Sequence, residues 1–130
     1  MVRPRAKELT DRELAVMQVF WDSRESKTAE DARQSLASAG EELAYATVAN
    51  VVRGLCDRGF LKQENDKRPF TFVPVKSFEA VSNRLLGDLL SRLFGGSREA
   101  LLVQLLERKQ LTDSEREYLR NVLREEEEQS

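Results

Sequence analysis

Apolar positions recur with helical spacing from the first turn onward. Leu14, Met17 and Trp21 fall at i, i+3 and i+7, and Val16 and Phe20 widen the stripe. The spacing predicts a helix over about 10–22. Thr10-Asp11-Arg12-Glu13 is a capping box, with Leu9 and Leu14 at the positions of a hydrophobic staple. Polar residues 23–26 end the helix. A second helix is expected over about 28–39, starting at Lys27 or Thr28. Its apolar face is narrow (Ala32, Leu36, Ala39), and Gly40 stands where a left-handed residue closes a helix. In the third helix Val48, Val51, Val52 and Leu55 form the inward stripe. Ala46, Thr47, Asn50, Arg53 and Asp57 lie on the other side, and none is large and apolar. Gly59 reads as the closing glycine, followed by Phe60.

The period then changes. Residues 60–63 and 70–73 are short and β-prone, and Phe70 and Phe72 share one face. Between them, Glu64-Asn65-Asp66-Lys67-Arg68-Pro69 is polar and turn-rich, so a β-hairpin with a charged tip is expected. After Pro74 the chain becomes leucine-rich. Ser77 precedes Phe78, Val81, Leu85, Leu89 and Leu93, a helix of about 25 Å that stops at Gly95-Gly96. Ser97 opens a shorter helix carrying Leu101, Leu102, Leu105 and Leu106. Thr112 caps a last one with Glu115, Tyr118, Leu119, Val122 and Leu123, and residues 125–128 form an acidic end. The composition shift at 74–77 divides the chain into residues 1–76 and 77–130.

Three helices followed by strand, charged loop and strand is the order of a winged helix-turn-helix domain. The expected fold is therefore mainly α with a small β-hairpin, extended by a C-terminal helical dimerisation module. In such a domain the third helix enters the major groove of duplex DNA while the hairpin reaches toward the backbone. A groove about 12 Å wide admits only a slim, polar helix face. Ala46, Thr47, Asn50 and Arg53 make such a face, and Asn and Arg can each pair with base edges through two hydrogen bonds. Lys67 and Arg68 suit phosphates, with Arg58 and Lys62 as further contacts. The long C-terminal stripe exceeds what a winged domain needs for its own core. Phe78, Val81, Leu85, Leu89, Leu93, Leu101, Leu105, Leu119 and Val122 are expected to bury themselves against a second copy.

Composition narrows the chemistry. The 130 residues contain no histidine and one cysteine, so histidine-based catalytic triads and structural zinc sites are not available. An intrachain disulfide is impossible, which suits a reducing, cytoplasmic setting. No apolar run approaches the roughly 20 residues of a membrane span, and the N-terminus does not read as a secretory signal. Carboxylates sit on predicted solvent faces and no phosphate-binding glycine loop is present, so no enzyme and no cofactor are expected. As a sum, the net charge of −2 argues against DNA, but its distribution is uneven. Residues 43–76 hold 6 Lys+Arg against 3 Asp+Glu, and Arg3, Arg5 and Lys7 form a basic arm. Residues 77–130 hold 8 against 11 and carry the acidity.

Leu9-Thr10, Glu13, Val16-Met17 and Phe20-Trp21 resemble the opening motif of the penicillinase-repressor family, which includes methicillin-resistance and copper-operon repressors. Leu43-Ala44-Tyr45-Ala46-Thr47-Val48, Leu55 and Arg58-Gly59-Phe60-Leu61 resemble its recognition helix. Arg68, Phe70, Phe72 and Pro74 resemble its wing, and Leu111-Thr112 and Leu119 resemble its C-terminal part more loosely. The resemblance implies a homodimeric bacterial repressor on a palindromic double-stranded operator, controlling β-lactamase, antibiotic-resistance or related stress genes. In the β-lactamase branch it implies a membrane sensor with metalloprotease signalling and a cut in the C-terminal region, which would fall near Gln104-Leu105. The family's Asn-Phe pair is absent there. In the copper branch C-terminal cysteine pairs bind metal, and this chain has only Cys56. Two other readings stay open at this point. One is a winged module that binds protein. The other is a ligand-sensing regulator with a pocket around Trp21, Phe78 and Leu85.

Overall fold

The computed structural model describes residues 9–108 and 111–129; Arg3, Arg5 and Lys7 lie outside them. Helix α1 (Asp11–Trp21) begins with the expected capping box. The Glu13 amide donates to Thr10 Oγ1 at 3.1 Å, and the Thr10 amide donates to Glu13 Oε1 at 2.9 Å. The same device opens α2 (Ala29–Ser38), where Thr28 and Asp31 exchange two bonds of 3.0 Å. Aspartate replaces the usual glutamate there, so the box escapes the usual sequence pattern.

Thr28 also serves the sheet. Lys27–Thr28 form strand β1, which pairs antiparallel with a later strand through Lys27↔Phe72 and Thr28↔Thr71. With β2 (Leu61–Gln63) and β3 (Thr71–Pro74) the sheet has three strands in the order β1-β3-β2. The hairpin expected from sequence is present, and β1 is an addition. Two residues are too short to display a period of two, so a strand defined only by its partner leaves no local pattern.

Helix α3 (Tyr45–Asp57) ends where Gly59 adopts φ +81°. The Gly59 amide donates to the Cys56 carbonyl (3.1 Å) and the Phe60 amide to the Leu55 carbonyl (2.9 Å). This double closure turns the chain so that Phe60 and Leu61 enter the core. The core joins α1 (Val16, Met17, Phe20), α2 (Ala32, Leu36) and α3 (Val48, Val52, Leu55) to those two residues and to Val81. Each large apolar side chain buried there contributes about 1.5–3 kcal/mol.

Helices α4 (Phe78–Phe94), α5 (Arg98–Arg108) and α6 (Asp113–Gln129) complete the chain. Ser77, Ser97 and Thr112 each accept an amide hydrogen bond at the start of one of them. The chain divides into two compact units, residues 1–85 and 86–130, with the division inside α4. The first unit therefore runs past residue 76. Val81 is closed into its core and Leu85 packs on that core. Phe78 meets the edge of Trp21, with centroids 5.4 Å apart and planes at 74°. The Trp21 indole donates to the Lys76 carbonyl at 2.9 Å. Val81, expected at a dimer contact, is thus spent inside its own protomer, because the chain leaving β3 brings the start of α4 back over Phe60. From Leu86 onward no described residue is buried.

Candidate nucleic-acid interface

The inward stripe of α3 fixes what points out. With Val48, Val52 and Leu55 in the core, Ala46, Asn50 and Arg53 are exposed and Thr47 is half-buried. One helical face therefore presents a methyl group, an amide and a guanidinium at three- and four-residue steps. Tyr45, 54% exposed, stands at its first turn. The N-cap, Ala44, supplies no side-chain acceptor, unlike Thr10 and Thr28. The first amide groups of α3 are left with the polarity that suits a phosphate.

The wing is held by one side chain that the sequence did not single out. Asn65 Oδ1 accepts from the Thr71 amide (2.9 Å), and Asn65 Nδ2 donates to the Pro69 carbonyl (3.1 Å). Gln63 Nε2 donates to the Asn65 carbonyl (2.7 Å), and the Glu64 amide donates to the Thr71 carbonyl (2.8 Å). Sequence alone marks Asn65 as a turn residue; its partners, four and six positions away, exist only once the loop closes. Arg68 then lies over the Phe70 ring at 5.1 Å from its centroid.

Helix α3 and the wing meet in a groove of about 660 Å³. Arg53, Tyr45 and Cys56 line one side, and Arg68, Phe70 and Gln63 line the other. The structure thus brings Arg53 and Arg68 to one concavity, with Lys67 exposed beside it on the loop. Lys62 pairs with Val73 and is exposed. The pleat sends it to the sheet face opposite Gln63. Glu30 also lines the groove. The Arg33 guanidinium, and then Gln34, hold its carboxyl down at about 2.

Arg58 has a different position from the one expected. Its Nη1 donates to both carboxylate oxygens of Glu13, at 2.8 and 2.9 Å, and its guanidinium lies 5.4 Å from the Phe60 ring centroid. It ties the end of α3 to the start of α1 across 45 residues and is only a quarter exposed. Burial pushes the Glu13 carboxyl up, but the Thr10 amide and the Arg58 guanidinium outweigh it and hold the group below the ordinary 4.5. Burial, and then the charge of Asp57, push the Cys56 thiol up.

Beyond Leu85 the candidate residues remain uncovered. Leu89, Leu93, Leu105 and Leu119 are exposed, and Leu101 and Val122 are half-buried. Gln104 and Leu105 sit exposed in the middle of α5 rather than in a loop. Among the described residues no His, Cys, Asp and Glu side chains are grouped to hold a metal. No described helix is long and apolar enough to cross a membrane.

The family model described as penicillinase repressor matches residues 9–125. A search of curated proteins returns no match. Among solved structures, a complex structure of hsRosR-SG superposes with a TM-score of 0.55 at 16% identity, over 95% of this chain and 96% of that one. At that identity the likeness shows a shared fold. The ferric uptake regulators of Vibrio cholerae (22% identity, TM-score 0.46) and Pseudomonas aeruginosa with manganese (27%, 0.47) match 55% and 56% of this chain. Those matches span 56% and 57% of the two regulators' own lengths.

Proposed function

The chain belongs to the penicillinase repressor family, and from that premise we propose a DNA-binding transcriptional repressor that grips a two-fold-symmetric operator as a homodimer. It is not an enzyme. The observation that carries the reading is the shared groove: Arg53 of α3 and Arg68 of the wing face the same concavity, beside the slim polar face of Ala46, Thr47 and Asn50. On this reading α3 enters the major groove, with Arg53 and Asn50 at base edges. Lys67 and Arg68, together on the wing, hold phosphates beside it. Lys62, on the other sheet face, reaches phosphate only at the flank. Arg58 contributes by fixing the end of α3 against α1.

A two-fold axis sets two recognition helices about 34 Å apart, one turn of DNA, so the operator is an inverted repeat. Occupying it excludes RNA polymerase from the adjacent promoter. The regulated genes on this reading are β-lactam resistance or related stress genes. A membrane sensor with protease activity is the partner that would relieve repression. Gln104-Leu105 lies in helical backbone, so a cut there requires α5 to open locally first.

Selection of bound fragments from sheared genomic DNA, with competitor DNA present, tests the proposal. The expected product is an inverted repeat with half-sites one turn apart, near a gene whose transcript rises when the repressor is deleted. Retention that ignores sequence would overturn it.

A further inference from the structure

The chain leaving β3, the first turns of α4 and Leu9 enclose a cleft of about 520 Å³. It is a separate place from the pocket expected around Trp21 and Phe78. Those two rings meet edge to face and line another recess, and only Leu85 belongs to the cleft. Leu9, Phe60, Val81 and Leu85 give it an apolar wall, and Lys76 and Arg84 add two cations. The Lys76 ammonium lies 4.7 Å from the Phe60 ring centroid. Its backbone is anchored by the hydrogen bond from Trp21. Among the described residues neither cation is paired with a carboxylate.

The volume falls in the small-molecule range of about 300–1,000 Å³. The chemistry is specific in two ways at once. A hydrocarbon body would cover Phe60, Val81 and Leu85 and gain by leaving water. One carboxylate would accept charge-assisted hydrogen bonds from Lys76 and Arg84, which among the described residues have no competing acid. An inorganic anion would use the cations and leave the wall wet. A neutral hydrocarbon would use the wall and leave the cations idle. We propose that this cleft is a binding site for a small organic carboxylate with an apolar body, of the size of a medium-chain acid. The site is independent of the DNA-binding face, since it shares no residue with the groove of Arg53 and Arg68.

Titration calorimetry on the full-length protein tests it, with octanoate as the probe and 1-octanol as its uncharged counterpart. Octanoate is expected to bind saturably, once per chain, and more tightly than 1-octanol. The double variant Lys76→Met/Arg84→Met should weaken octanoate at least about tenfold, as loss of charge-assisted hydrogen bonds implies, and leave 1-octanol unchanged. Arg98→Met, on α5 outside the cleft, should leave octanoate binding as it was. Ala80→Trp fills the cleft and keeps both charges; it should abolish octanoate binding, and this holds the test open if the double variant fails to fold. No saturable octanoate binding to the natural chain would overturn the proposal. So would 1-octanol binding as tightly as octanoate, or binding undiminished in the variants, which would mean partition onto the exposed leucines beyond Leu85.

Discussion

Arg53 and Arg58 stand five residues apart near the end of one helix, and burial separates their roles. Arg53 is exposed on the groove, while Arg58 is closed against Glu13 and Phe60. Arg53→Ala is therefore expected to cost about 1–3 kcal/mol of operator binding and to relax preference at one base pair per half-site. Lys67→Ala should weaken all sequences alike and lower the salt slope by about one. Fluorescence anisotropy across a salt series, on operator and scrambled duplexes, separates the two. Glu13 gives a pH prediction. Its folded carboxyl titrates below the ordinary 4.5. The stability it contributes is thus fully present above that value and lost as pH falls through the lowered one. Glu13→Gln should destabilise the protein by about 1–2 kcal/mol at pH 7, the worth of a charge-assisted hydrogen bond. The gap to the natural chain should close in thermal melts as pH falls from the ordinary carboxylate range through the lowered value. The Glu13–Arg58 pair was invisible in the sequence, where Glu13 read only as half of a capping box. The contact joins positions 45 residues apart, and no local spacing encodes it.

Among elements, α3 and the wing are coupled by the turn between them. Gly59 has φ +81°, and a Cβ there would meet nothing within 4 Å. The cost of Gly59→Ala is therefore purely backbone strain. It should be about 1–2 kcal/mol, as for a left-handed conformation forced on an ordinary residue. Chemical denaturation measures it, and an unchanged midpoint would mean that the turn relaxes. The position of this turn was legible from Gly59 and Phe60, as were the caps at Thr10, Ser77 and Thr112, because each is a pattern of three to six residues. Strand β1 was not legible. Lys27 and Thr28 are a strand only because Phe72 and Thr71 lie beside them.

At the scale of the molecule, the second unit leaves Leu89, Leu93, Leu102, Leu105, Leu106 and Leu119 exposed. On the proposed reading these leucines form an interface, as a large exposed apolar patch suits. A second copy is the occupant that the proposed operator symmetry requires. Leu93, 69% exposed near the end of α4, is the sharpest test. Leu93→Glu should shift the sedimentation equilibrium from dimer toward monomer at micromolar concentration and weaken full-operator binding at least about tenfold, while leaving the melting of the winged unit in place. A natural chain that sediments as a monomer at that concentration would refute the dimer. Charge acts at this scale too. The modest excess over residues 43–76 predicts weak sequence-independent binding, so affinity depends on pairing two domains and on base contacts rather than on bulk charge.

The sequence by itself determined the helices, the caps at Thr10, Ser77, Ser97 and Thr112, the inward stripe of α3 and therefore its outward face, because each follows from side-chain periodicity and from backbone geometry within one or two turns. Only the tertiary structure decided that Arg58 pairs with Glu13, that Asn65 holds the wing, that Val81 is core, and that Arg53 and Arg68 share a groove. Each of these depends on which distant segments become neighbours when the apolar stripes are buried together, and burial is a property of the whole packed unit.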